Sequence, residues 1–404
     1  VNDSLIDHAS FINRWRLEPK DPTAYFAGQL SEPVKPIVFY IDNAFPEKWK
    51  PAMRNAVLRW NKAFERIGFK NVMQAVDFPT NDPNFDPDNF QYSCIRYLPT
   101  ATENAMGPSW VDPRTGEIIT ATVLVYNDVV NVINSWRFIQ TSQIDPAART
   151  LDMPDSILLP TLEYIVTHEV GHTLGLMHNM ASSAAIPTDS LRSASFTQKY
   201  GTTASIMDYA RFNYVAQPTD KGVSLTPPEL GVYDKYAIEW GYRVFPNSKS
   251  FRDDVKPLMA LVESHAHDPM YRYVLQQSRY RYDPTAIEED LGDDAVKSST
   301  YGLKNLEYIL SHFDEWIPDG TDGTRKAKLY RQMVSQAYGY ARNVYAVIGG
   351  IKLNQSTESS GIPRYEVMPK EKQRAAAMWL LQEARKFGKR GVESIENRLP
   401  QINS

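Results

Sequence analysis

The sequence predicts an α+β protein in which a strand-and-helix region comes first and a mostly helical region comes second. Three observations carry this. Short apolar runs bounded by turn residues recur at 36–42, 71–77, 92–98, 105–111 and 117–126 and read as strands. Apolar residues at alternating four- and three-residue steps mark amphipathic helices, increasingly so beyond residue 250. Between the two regions, His168-Glu169-Val170-Gly171-His172-Thr173-Leu174-Gly175-Leu176-Met177-His178-Asn179 gathers three of the seven histidines into one stretch.

Composition bounds the possibilities. A chain of 404 residues suffices for two or three domains, or for one large domain with an extension. Hydrophobic (42%) and charged (23%) fractions are those of a globular protein with a packed core. A net charge of −4 leaves no basic footprint for nucleic acid or an anionic membrane surface. No apolar run reaches the ~18 residues of a transmembrane helix. The single cysteine, Cys94, excludes an intrachain disulfide and reads as a small buried hydrophobe in a strand. The chain starts with Val, not Met, and carries no signal-like segment, so it is expected to be a mature or excised piece of something longer.

Taken in order, residues 1–33 carry few periodic signals, and Phe11, Trp15 and Leu17 are expected to lie as an extended arm across the neighbouring domain. After the 36–42 strand, Met53, Val57, Trp60, Phe64 and Ile67 form one helical stripe, with Pro51 near its start and Gly68 as its stop. Residues 77–90 hold Asp77, Asp82, Asp86 and Asp88. Calcium is conceivable on such oxygen ligands, but the spacing fits no calcium-loop pattern and a solvated loop is expected. Pro108 excludes 105–111 from a central strand and sends it to a sheet edge, where Gly107, Ser109 and Trp110 could meet an extended peptide. An ordinary capped hairpin would look the same.

A helix is expected over 129–140, a loop over 145–155, and the histidine helix over 156–174, with Ser156 or Asp155 as N-cap and Pro160 in its first turn. Thr226 and Glu229 have capping-box spacing for a helix running to about Trp240. Residues 271–282 alternate like a strand, and helices are expected beyond them at 300–317, 324–348 and 369–387. His265, His267 and His312 form no i, i+4 pair with another histidine and are not expected as ligands.

The chemistry lies in 168–179. On a helix, His168 and His172 sit one turn apart and project from one face, where two nitrogens can reach a zinc ion at about 2.0–2.1 Å. Glu169 is offset around the helix and is free to act on water that such an ion activates. Gly175 can take positive φ, end the helix and return His178 as a third ligand.

The order of strand, helix, two strands, edge strand, strand, histidine helix, glycine turn and third histidine resembles the metzincin clan of zinc metallopeptidases. His168, Glu169, His172, Gly175 and His178 match the fixed positions of its H-E-x-x-H-x-x-G-x-x-H motif, and Met207, in Ser205-Ile206-Met207-Asp208-Tyr209, matches its Met-turn. Arg14-Trp15-Arg16-Leu17, Trp60-Asn61-Lys62-Ala63-Phe64, 112–118 and 289–294 resemble a bacterial family labelled Met-zincin, of Bacteroides-like bacteria. The resemblance implies a mixed five-stranded twisted sheet with an antiparallel edge strand in a catalytic domain over 34–248, an N-terminal arm over 1–33 and a mainly helical region over 249–404. It implies one catalytic zinc ion, a protein or peptide substrate, a periplasmic or extracellular location and further domains in a longer polypeptide. Tyr209 matches a tyrosine that in astacin-like and serralysin-like members binds zinc or the tetrahedral intermediate; an aromatic pocket wall is the alternative. Asn179 departs from the residues that mark individual metzincin subfamilies, so none of their specificities carries over. The expected activity is endopeptidase hydrolysis with Glu169 as general base; the alternative is a zinc-containing peptide-binding or structural module.

Overall fold

The computed structural model describes residues 11–227, 229–277, 280–318 and 323–387. Residues 1–10 of the expected arm and 388–404 of the expected helical region lie outside the described residues. The first region runs α1 (Pro22–Phe26), β1 (Ile37–Ile41), α2 (Lys50–Leu58), α3 (Asn61–Glu65), β2 (Met73–Asp77), β3 (Ser93–Leu98), β4 (Ala105–Met106), β5 (Ser109–Val111), β6 (Ile118–Tyr126), α4 (Val129–Thr141) and α5 (Asp155–Thr173). The sheet order is β2-β1-β3-β6-β4, with β5 also on β6. The strands β1, β2, β3 and β6 are parallel, whereas β4 and β5 are antiparallel to β6. Those two short strands are one edge strand interrupted at Gly107-Pro108, where Pro108 has no N–H to offer and its carbonyl accepts from Thr122. The expected five-position mixed sheet with an antiparallel edge is therefore present.

The stripe Met53, Val57, Trp60, Phe64 and Ile67 is buried as its spacing predicts, but the helix breaks between α2, which packs on α5, and α3, which packs on α7. The break has side-chain causes. The Trp60 indole N–H donates to the Thr167 carbonyl of α5 (3.1 Å), and the Asn61 amide bonds both backbone groups of Met73 on β2 (2.9 Å each). Helix α5 starts at Asp155 with Pro154 as its N-cap, so neither Ser156 nor Asp155 caps it, and Pro160 lies inside it rather than in the first turn. Cys94 is fully buried, and burial pushes its thiol up to about 12, which makes it inert.

Downstream come α6 (Ala194–Tyr200), α7 (Val232–Tyr242), α8 (Phe251–Ser264), α9 (Ala295–Ser311), α10 (Phe313–Trp316), α11 (Gly323–Tyr345), the antiparallel pair β7 (Ile351–Leu353) and β8 (Tyr365–Val367), and α12 (Lys370–Phe387). A second core joins Phe138 and Ile139 of α4 and Ile157 of α5 to Ile309 of α9, Phe313 of α10 and Met333 of α11. The helical region thus packs on α4 and α5, and α5 also lies against β6. Three expectations fail here. Helix α7 begins at Val232, because Glu229 pairs with Lys62 (2.7 Å) instead of capping. Residues 272–277 form no strand, and the Asn179 side chain takes up Arg272 O and Val274 N. The 300–317 helix divides at His312, and α8 and the β7–β8 pair carried no recognised signal.

Residues 14–17 lie against the sheet and α5. Arg14 bridges to Glu117, the Trp15 indole donates to the Thr173 carbonyl (2.8 Å), and Leu17 is buried, while Phe11 stays largely exposed. Among the described residues, no helix is long and apolar enough to cross a membrane.

Candidate metal centre

Helix α5 presents His168 and His172 one turn apart, with ring centroids 4.8 Å from each other. Gly175 then takes φ +87°, and a Cβ there would lie 1.9 Å from the Asn13 carbonyl of the N-terminal arm. Both the conformation and the space demand glycine. The chain turns, and His178 comes back to within 3.2 Å (Nε2–Nε2) of His168 and 3.1 Å of His172. Each Nδ1 has a backbone or side-chain oxygen to donate to: Ile206 O (2.7 Å), Leu176 O (2.9 Å) and Gln276 Oε1 (2.7 Å) for His168, His172 and His178 respectively. With the protons held on Nδ1, three Nε2 lone pairs face one point. Such an arrangement is repulsive without a cation and is the donor set for one. Burial also lowers all three proton affinities, His172 to about 4, so the imidazoles stay neutral. Among the described residues this is the one group of three or more potential ligands that could hold a metal ion.

Met207 lies directly behind α5. A Cβ on Gly171 would meet its sulfur at 2.4 Å and the Trp60 ring at 2.8 Å, so only glycine fits between the histidines. The turn carrying Met207 is held by Asp234 of α7, which is fully buried. Its Oδ1 accepts from the Ser205 hydroxyl (2.5 Å) and its Oδ2 from the amides of Ile206 (2.8 Å) and Gly231 (2.6 Å). Ser205 Oγ in turn accepts from the Met207 amide (3.0 Å). Burial raises Asp234 to about 6, against those hydrogen bonds. Sequence reasoning missed this residue; its only signal is an acid near the start of an otherwise aromatic helix.

Glu169 is half-buried beside the edge strand, where the Gly107 amide favours its charged form. A Cβ on Gly107 would be 2.3 Å from the Glu169 carbonyl, so the edge segment touches α5 there. Burial pushes Glu169 up to about 8, opposed by Arg211 and the Gly107 hydrogen bond. Ser109 and Trp110 lie further along the edge, paired with Ala121 and Thr120, and Trp110 is 44% exposed against Phe90. Tyr209 is stacked on His168 (5.4 Å, 28°) and lies 4.4 Å from the His178 ring. The Arg211 guanidinium covers Tyr209 (4.4 Å) and Trp136 (4.0 Å), fixed by Glu289 (3.2 Å). Phe212 and Tyr214 are buried in the core.

Asn179, fully buried, ties the returning loop to the later region: its amide donates to Arg272 O (2.9 Å) and accepts from Val274 N (3.2 Å). The aspartates of 77–90 are not gathered for calcium. Asp77 pairs with Arg54 and Asp88 with Arg96, while Asp82 and Asp86 accept from amides two residues on. Behind the glycine turn, a cleft of about 940 Å³ is lined by Tyr233, Tyr236, Trp240 and Tyr271, and none of the three imidazoles borders it.

A mixed sheet with one antiparallel edge, backed by a helix that presents two of three convergent imidazoles, has the build of a zinc metallopeptidase. A family model described as Met-zincin matches residues 150–399, more than half of the chain, and the chain belongs to the Met-zincin family. No curated protein and no solved structure matches it.

Proposed function

We propose that the protein is a metalloendopeptidase in which His168, His172 and His178 hold one zinc ion and Glu169 is the general base. The observation that carries this reading is the convergence of three Nε2 atoms whose Nδ1 protons are all engaged elsewhere. Zinc bound there would supply a Lewis acid that lowers the pKa of water and polarises a peptide carbonyl. Glu169 takes the proton from the attacking water and delivers it to the leaving amine. Tyr209, stacked beside two of the imidazoles, donates its hydroxyl to the carbonyl oxygen as negative charge develops. The edge at Gly107, Ser109 and Trp110 pairs with an extended substrate backbone, which favours internal cleavage. Met207 and Gly175 serve as the Met-turn and the ligand-returning glycine. On this reading 34–248 is the peptidase unit, 1–33 its arm and 249–404 a brace, and the protein works in the periplasm or outside the cell, a reading that the family resemblance supports.

Digestion of a proteome-derived peptide library tests the activity. Internal cleavages are expected, abolished by a chelator and restored by zinc. Zinc uptake without chelator-sensitive cleavage would instead make the protein a zinc-containing binding or structural module. Tyr209→Phe separates the two readings of that residue: kcat is expected to fall about 10²-fold with KM little changed. An unaltered kcat leaves Tyr209 as a pocket wall.

A further inference from the structure

The three imidazoles differ in what orients them. His168 and His172 donate to backbone carbonyls close by, within the turn that carries Met207 and the turn that ends α5. His178 donates to a side chain 98 residues away, Gln276 Oε1, at 2.7 Å. A side-chain amide can face either way, so something must decide that its oxygen points at the imidazole. Glu288 does so. Gln276 Nε2 donates to Glu288 Oε1 (3.3 Å), and Arg281 donates to Glu288 Oε2 (2.9 Å). A carboxylate bound by arginine offers only lone pairs to the amide. The nitrogen of Gln276 must therefore face Glu288, its oxygen must face His178, and the His178 proton is drawn to Nδ1, leaving Nε2 free.

We infer that Gln276, fixed by Glu288 and Arg281, is a positioning residue that sets the tautomer and ring orientation of the third imidazole. The inference rests on the zinc reading proposed for these histidines. It makes the stretch after residue 270 part of the metal centre, not merely a neighbour to it. The backbone supports this. Arg272 O and Val274 N are clamped by Asn179 beside His178, and Glu289 N donates to Tyr209 O (3.1 Å). The same segment thus holds both the third histidine and the tyrosine opposite.

The test is zinc affinity of the full chain, measured by competition with a chromogenic chelator, together with thermal melting of the metal-free protein. Gln276→Leu keeps most of the volume but removes the acceptor, and zinc should bind about 10–100-fold more weakly. The double exchange Gln276→Glu with Glu288→Gln again offers His178 an acceptor held by an amide, without changing net charge, and should restore affinity. If wild type takes up one zinc and Gln276→Leu binds it equally well, the positioning role is wrong while the zinc reading stands. If the double exchange stays as weak as Gln276→Leu, the loss is structural and the role is again overturned. A wild-type chain that binds no zinc overturns the zinc reading itself.

Discussion

Glu169→Gln should retain one zinc ion per chain and lose peptide hydrolysis by about 10²–10⁴-fold, the span expected when a positioned general base is removed. The substitution is nearly isosteric, and the glutamine carbonyl can still face the Gly107 amide that favours the carboxylate. The three convergent nitrogens do not include Glu169, so the ion should be held as before. What disappears is a group able to take a proton and return it. Burial favours the protonated form of Glu169, raising it to about 8, whereas a nearby cation favours the carboxylate. An ion between the imidazoles is therefore what would keep the base in its working state. Initial rates on a cleaved library peptide, with zinc measured on the same preparation, check the prediction. Hydrolysis at the wild-type rate in a fully metallated variant would remove Glu169 from the mechanism.

The histidine stretch was legible because its geometry is local. Spacing on one helix fixes the relation of His168 to His172, and a glycine at the helix end announces the turn to His178. The parallel strands and the Trp60 stripe were legible for the same reason: period and burial coincide. What could not be read depends on distant partners. Asp234 and Gln276 act on residues 28 and 98 positions away, across a fold that periodicity does not define. Local signals also misled where a tertiary partner outbid them. Glu229 had capping spacing but found Lys62, and within the alternating 271–282 run the backbone groups of Arg272 and Val274 are bound by the Asn179 side chain. Asn179 itself, the residue after the third histidine, proves to be a buried clamp on that segment.

Asp234→Ala should destabilise the protein by about 3 kcal/mol or more, because three donors lose their acceptor inside the protein. The Ser205 hydroxyl can rotate, but the amides of Ile206 and Gly231 cannot, and the turn they anchor carries Met207 and the carbonyl that orients His168. Zinc affinity should therefore fall together with stability. Asp234→Asn discriminates between charge and geometry as the cause. Its oxygen can accept from both amides and its nitrogen can donate to Ser205 Oγ, so only the rotatable Ser205 hydroxyl proton loses its acceptor and no charge is buried. Because burial raises Asp234 to about 6, the folded state takes up a proton there at higher pH than the unfolded chain does. The stability this group contributes is present at low pH and is lost as pH rises through about 6. The asparagine variant should lack that dependence and remain close to wild type in denaturant titrations at neutral pH, whereas alanine should not. If asparagine proved as destabilising as alanine, the buried negative charge, rather than its hydrogen bonds, would be what holds the turn.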